Sequence, residues 1–198
     1  MTRKLYKTGV VILSWFIANL LGVAAVGALP FIPPVMTSNP GMLVSSLIIG
    51  LPIGFAQWIV LRRVAPISSL WILTISVALP LALVVINSPI SSGIWGFLGG
   101  DESALSLTAA YTTFGLLVGL VQWLFLRGHF TKSFVWLLSS AVGLGLGTGL
   151  VLASNLINQS GIISFILIVL VYAIATGSVI SWMQVSSTKT GIHFVNAT

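Results

Sequence analysis

Two adjacent carboxylates, Asp101 and Glu102, and two histidines, His129 and His193, are the only carboxylates and imidazoles that this chain offers to acid, base or metal chemistry, and it has no cysteine. The acids read as the start of a helix whose dipole favours negative charge, not as a catalytic pair with separated roles. No metal-ligand cluster, phosphate-cradling glycine loop or base beside a nucleophile can be assembled from the remainder. The missing cysteines also exclude disulfides and thiolate sites. The sequence therefore reads as non-enzymatic, and no cofactor is assigned.

Two amides carry more information. Gly50-Leu51-Pro52-Ile53-Gly54-Phe55-Ala56-Gln57-Trp58-Ile59-Val60-Leu61-Arg62 returns 65 positions later as Gly115-Leu116-Leu117-Val118-Gly119-Leu120-Val121-Gln122-Trp123-Leu124-Phe125-Leu126-Arg127. On a helix Gly50, Gly54, Gln57 and Leu61 fall within about 60° of one another, as do their second-copy equivalents. Glycines four apart let a neighbouring backbone approach, and an amide can hydrogen-bond across that contact where water is scarce. Two readings stay open. In one the amides glue helices together; in the other they face a shared cavity and bind a polar group, and convergence of Gln57, Gln122 and Ser181 on a water-sized space would favour it.

The elements that must position these residues follow from composition. A chain of 198 residues with 57% hydrophobic and 5% charged residues and a mean hydropathy of +1.14 lacks the polar surface of a dissolved globule. Six stretches free of Asp, Glu, Lys, Arg and His run from Gly9 to Leu29, Met42 to Leu61, Ser69 to Asn87, Ala104 to Leu126, Ser133 to Ser154 and Ile162 to Met183. Each has about 20 residues, the length of a transmembrane helix. None shows the alternation of an outer-membrane strand.

All eight basic residues flank these stretches on one side, at Arg3, Lys4, Lys7, Arg62, Arg63, Arg127, Lys132 and Lys189. The opposite loops hold both acids. The positive-inside rule then predicts cytoplasmic termini, and anionic headgroups, not nucleic acid, account for the basic excess. The basic start of the first stretch and its small residues before Ala28 also suit a signal peptide. Its likeness to the third and fifth stretches predicts that it is kept: Trp15, Trp71 and Trp136 are each followed by a small residue three and seven positions on.

Aligning the even stretches on Trp58, Trp123 and Trp182 sets Ser178 beside Gly54 and Gly119, and Ser181 beside Gln57 and Gln122. The expected fold is all-α: one transmembrane domain over residues 1–198, built as three tandem helical hairpins at about 9–63, 69–128 and 133–186. Trp15, Trp58, Trp71, Trp123, Trp136 and Trp182, with Arg62 and Arg127, are expected to anchor the interface, where indoles favour the headgroup layer. A platform for lipid or pigment is the sharper reading of those indoles. Pro52 and Pro80 predict kinks. The external loop around Trp95 is apolar enough to lie on the membrane or dock on another protein.

The repeated G-x-x-x-G-x-x-Q-W-x-x-L-R helix end, carried by Gly50, Gly54, Gln57, Trp58, Leu61 and Arg62 and by Gly115, Gly119, Gln122, Trp123, Leu126 and Arg127, resembles uncharacterised bacterial polytopic membrane proteins, cyanobacterial ones among them. The third copy departs at both Gln and Arg. The resemblance implies a bacterial inner (plasma) membrane, or a thylakoid membrane if the source is cyanobacterial, and implies no activity. Function is expected to be that of an accessory or structural subunit of a larger membrane complex, or a binder of lipid or another apolar ligand. The alternative is a small uncoupled channel or facilitator for a neutral solute, since the interior polar groups are mainly Asn19, Gln57, Gln122 and scattered hydroxyls.

Overall fold

A computed structural model of the chain describes residues 8–27, 39–86, 88, 93–94, 96–100, 103–154 and 161–183. Among these residues the structure is helical and contains no strand. The long helices are α1 (Thr8–Gly27), α2 (Asn39–Val64), α3 (Ile72–Ile86), α4 (Ala104–Leu126), α5 (Phe134–Ala153) and α6 (Gly161–Trp182), with a 3-10 turn over Ser69–Trp71 leading into α3. Leu47–Val64, Ser69–Ile86, Ala104–Leu126, Phe134–Ala153 and Ile163–Trp182 are long and apolar enough to cross a membrane, whereas α1 supplies a shorter apolar stretch, Gly9–Ala24. Length and apolarity thus qualify five of the six expected spans.

Serine hydroxyls mark two of the helix starts. Ser68 Oγ accepts from the Leu70 amide at 3.2 Å ahead of α3, and Ser103 Oγ accepts from the Ser106 amide at 3.0 Å to cap α4. Asp101 and Glu102, expected to start α4, lie outside the described residues. Pro52 and Pro80 sit inside α2 and α3, each of which continues past its proline.

Each helix packs on its neighbours in sequence, and α6 returns to pack on α1, so the six close into a ring. The starts of α1, α3 and α5 share one end of that ring with the finishes of α2, α4 and α6. Two long-range bonds fix this arrangement: Trp15 near the start of α1 reaches Thr176 near the finish of α6, and Trp136 at the start of α5 reaches Gln122 near the finish of α4. Arg62, Arg63, Arg127 and Lys132 belong to this basic end. Arg3, Lys4, Lys7, Lys189 and His193 lie outside the described residues.

The helices segregate residues by size, because polarity gives them little to sort. On α5 the outward row is Phe134, Leu138, Val142, Leu146 and Leu150, all more than half exposed, while Ser140, Gly143, Gly147 and Val151 are buried. This is the arrangement of helices that meet each other through small residues and meet lipid through large ones. Beyond α3, Ile94 is exposed and Phe97 is 90% exposed, and Trp95 between them lies outside the described residues.

Glycines set the closest approaches. A Cβ at Gly50 would run into the backbone of Ile75 and Ser76, and one at Gly54 would run into the Ile72 carbonyl. In the second copy a Cβ at Gly115 would meet the backbone of Ser140 and Ala141, and one at Gly119 would lie 3.1 Å from the Leu137 Cα. Ser140, Ala141 and Leu137 are themselves 65 residues after Ile75, Ser76 and Ile72. The α2–α3 and α4–α5 contacts therefore share one register.

Candidate functional site

The densest polar chemistry lies inside the basic end of the ring. Trp136 Nε1 donates to Gln122 Oε1 at 3.0 Å, Gln122 Nε2 donates to Gln57 Oε1 at 3.1 Å, and Gln57 Nε2 donates to Asn19 Oδ1 at 2.9 Å. Asn19 Nδ2 ends the run on the Trp15 carbonyl at 2.8 Å. Trp15 Nε1 in turn donates to Thr176 Oγ1 at 2.8 Å, and that hydroxyl donates to the Tyr172 carbonyl at 2.7 Å. Asn19, Gln57, Gln122 and Thr176 are all buried, and both glutamines are fully so. Each amide donates one proton and accepts one, so each carbonyl oxygen has a partner in a medium where an orphan costs most.

An indole cluster surrounds this run. Trp15, Trp71 and Trp136 have no exposed surface, and the Trp136 ring stands edge-on to both others, with centroids 5.6 Å from Trp15 and 6.2 Å from Trp71. The three come from α1, from the turn that leads into α3, and from α5, which alternate around the ring. Indoles that meet from alternate helices of a ring meet in its interior. Phe130, Leu61, Leu126 and Ile180 fill the space around them.

These positions correct the expectation that Trp15, Trp71 and Trp136 anchor the headgroup layer. Their place at helix starts suggested the interface, but each lies on the same helix face as the small residues three and seven positions on, and that face packs inward. Ala18, Gly22, Thr74, Ala78 and Gly143 are buried with them. The anchor expectation fits the even helices better. Trp58 and Trp123 are half-buried and Trp182 is 54% exposed. The Arg62 guanidinium lies 4.5 Å from the Trp58 ring centroid, Arg127 5.7 Å from Trp123, and the Lys132 ammonium 4.9 Å from Trp182.

A second correction concerns the third copy. Ser178 is exposed, and Ser181 donates to the Ser178 carbonyl of its own helix at 2.8 Å, so neither joins the glutamines. Thr176 takes the amide's part instead, accepting from Trp15 as Gln122 accepts from Trp136. The small residue at the close approach is Gly177, where a Cβ would lie 3.3 Å from the Trp15 ring.

No family model, curated protein or solved structure matches this chain.

The third central indole differs from the other two. Trp71 Nε1 is buried without an acceptor among the described residues, and the buried hydroxyls of Ser45, Ser76 and Thr148 likewise lack partners there, whereas those of Ser140 and Tyr172 face each other across the α5–α6 contact. In the second copy the equivalent indole, Trp136, is served by Gln122. In the first copy Gln57 turns its oxygen to Gln122 and its nitrogen to Asn19. Among the described residues no cluster of His, Cys, Asp and Glu could hold a metal ion. What the arrangement does chemically is hold five of the six long helices, α1, α2, α4, α5 and α6, in one register through a run of neutral hydrogen bonds.

Proposed function

We propose that this chain is a non-enzymatic integral membrane protein of six spans, arranged as three hairpins with cytoplasmic termini, and that it serves as a structural or accessory subunit of a larger membrane complex. The observation that carries this reading is that Gln57 and Gln122 satisfy each other instead of a shared space. With Asn19 and Trp136 they form a closed run of bonds, and three buried indoles fill the interior at that level. Such a core stabilises shape and occupies the two amides with each other and with Asn19 and Trp136. The outward faces, rich in exposed Leu, Ile and Val, are then available to lipid and to partner helices. The setting is a bacterial inner membrane, or a thylakoid membrane in a cyanobacterial source, with no role for nucleic acid.

Gentle purification from native membranes tests this, with mass spectrometry of co-purifying proteins and an absorption spectrum for bound pigment. Recovery of a stoichiometric membrane partner supports it. A chain recovered alone that passes a neutral solute into proteoliposomes favours the uncoupled-facilitator reading, to which the hydroxyls of Ser76 and Thr148, unpartnered among the described residues, lend support.

A further inference from the structure

We propose that the crevice between the basic ends of α1 and α2 is a binding site for an anionic phospholipid, with Arg63 holding the phosphate. The inference rests on the membrane reading given above. Val10, Val11 and Ser14 of α1 and Val60, Arg63 and Val64 of α2 line a crevice of about 40 Å³. That volume is close to one water's share of liquid, about 30 Å³, so it seats a short stretch of an acyl chain and not a whole lipid. From the crevice an exposed apolar row, Val10, Leu13, Ile17 and Leu21, continues along α1 and gives the rest of a tail a surface to follow.

The head of this site is a cation free of the partners its neighbours have. Arg62 stacks on Trp58 and Arg127 on Trp123, whereas Arg63 has no ring beneath it and no carboxylate among the described residues. A guanidinium in that position offers a fork of donors matched to phosphate oxygens, and Ser14 adds a hydroxyl beside it. Apolar lining below and an unpaired cation above complement a lipid with a negatively charged head. A zwitterionic head brings its own cation to the same place. The site also breaks the repeat, because Gly128 stands in the second copy where Arg63 stands in the first, and His129 where Val64 stands. One such site per chain is expected.

The test uses the purified full-length protein in detergent, with phosphatidylglycerol, phosphatidylcholine or inorganic phosphate added, reading retained lipid by native mass spectrometry and stability by thermal unfolding. Phosphatidylglycerol is expected to be retained with a one-to-one component and to raise the unfolding temperature more than phosphatidylcholine. Arg63→Gln is expected to weaken that component about fivefold, the factor for about 1 kcal/mol per basic residue near an anionic surface. Val64→Trp, which fills the crevice and leaves the charge, is expected to weaken it as well. Arg127→Gln removes an equal charge from the other hairpin and is expected to leave it unchanged. Equal loss in Arg63→Gln and Arg127→Gln overturns the site in favour of general charge attraction. So does stabilisation by inorganic phosphate alone. If alkaline carbonate extracts the chain from membranes, the membrane reading itself falls; if the chain stays embedded but shows no preference for phosphatidylglycerol, only the lipid site falls.

Discussion

Gln122 donates its side-chain amide to Gln57 Oε1 across 3.1 Å, and the two residues stand 65 positions apart, so two copies of one motif are bonded directly to each other. Each copy therefore reports on the other. Gln57→Leu and Gln122→Leu are each expected to lower stability by about 0.5–2 kcal/mol, the range for hydrogen bonds between membrane helices. Because both changes break the same bond, the double variant should lose less than the sum of the two. Unfolding of all four proteins in one detergent gives the coupling; strict additivity would mean that the two amides do not interact.

The three central tryptophans should respond differently to a change that removes only the indole nitrogen side of the ring. Trp136→Phe leaves Gln122 Oε1 without its donor, and Trp15→Phe does the same to Thr176. Trp71→Phe breaks no hydrogen bond and removes a buried unpartnered donor. The volume lost is the same in each case, so Trp71→Phe is expected to be the mildest by about 0.5–1.5 kcal/mol, the net value of one hydrogen bond. Thermal unfolding of the three variants decides it, and a Trp71→Phe protein as unstable as the others contradicts the orphaned indole.

Close approach at the glycines predicts a graded series. Gly115→Ala would drive a methyl into the Ser140 carbonyl, Gly119→Ala would place it 2.9 Å from the Ser140 Cβ, and Gly177→Ala would place it 3.3 Å from the Trp15 ring. The cost is expected to fall in that order from about 3 kcal/mol, the upper range for overpacking, towards 1 kcal/mol or less. Leu124→Ala, at an exposed position, serves as the control. Equal thermal aggregation across the series would remove backbone approach as the reason for these glycines.

The topological reading is tested by reporter fusions. Fusions after Lys132 and Lys189 are expected to report cytoplasm, and fusions near Thr37 and Ser92 the outside. A cytoplasmic signal at Ser92 is incompatible with six spans.

Helix positions and the glycine-glutamine face were legible in the sequence because apolar length and small-residue spacing are local properties. The described helices begin and end within a few residues of the stretches read from composition. What local pattern could not separate was the inward from the outward indole, since in an apolar helix both faces are equally hydrophobic. The signal was nonetheless present: Trp15, Trp71 and Trp136 each share a face with small residues, which marks a packing face. Thr176 was not legible, because nothing in an apolar run distinguishes a threonine that bonds its own helix from one that also receives an indole from 161 residues away.

That separation has a kinetic consequence for how the chain matures. The acceptor of Trp15 on α6 emerges 161 residues after it, which at about 5–20 residues per second is on the order of 10–30 s. During that interval α1 has its contact with α2, through Asn19 and Gln57, but no seat on its other side. Until α6 arrives the nascent chain is an open arc with an exposed flank on α1, which any chaperone that attends it has to shield.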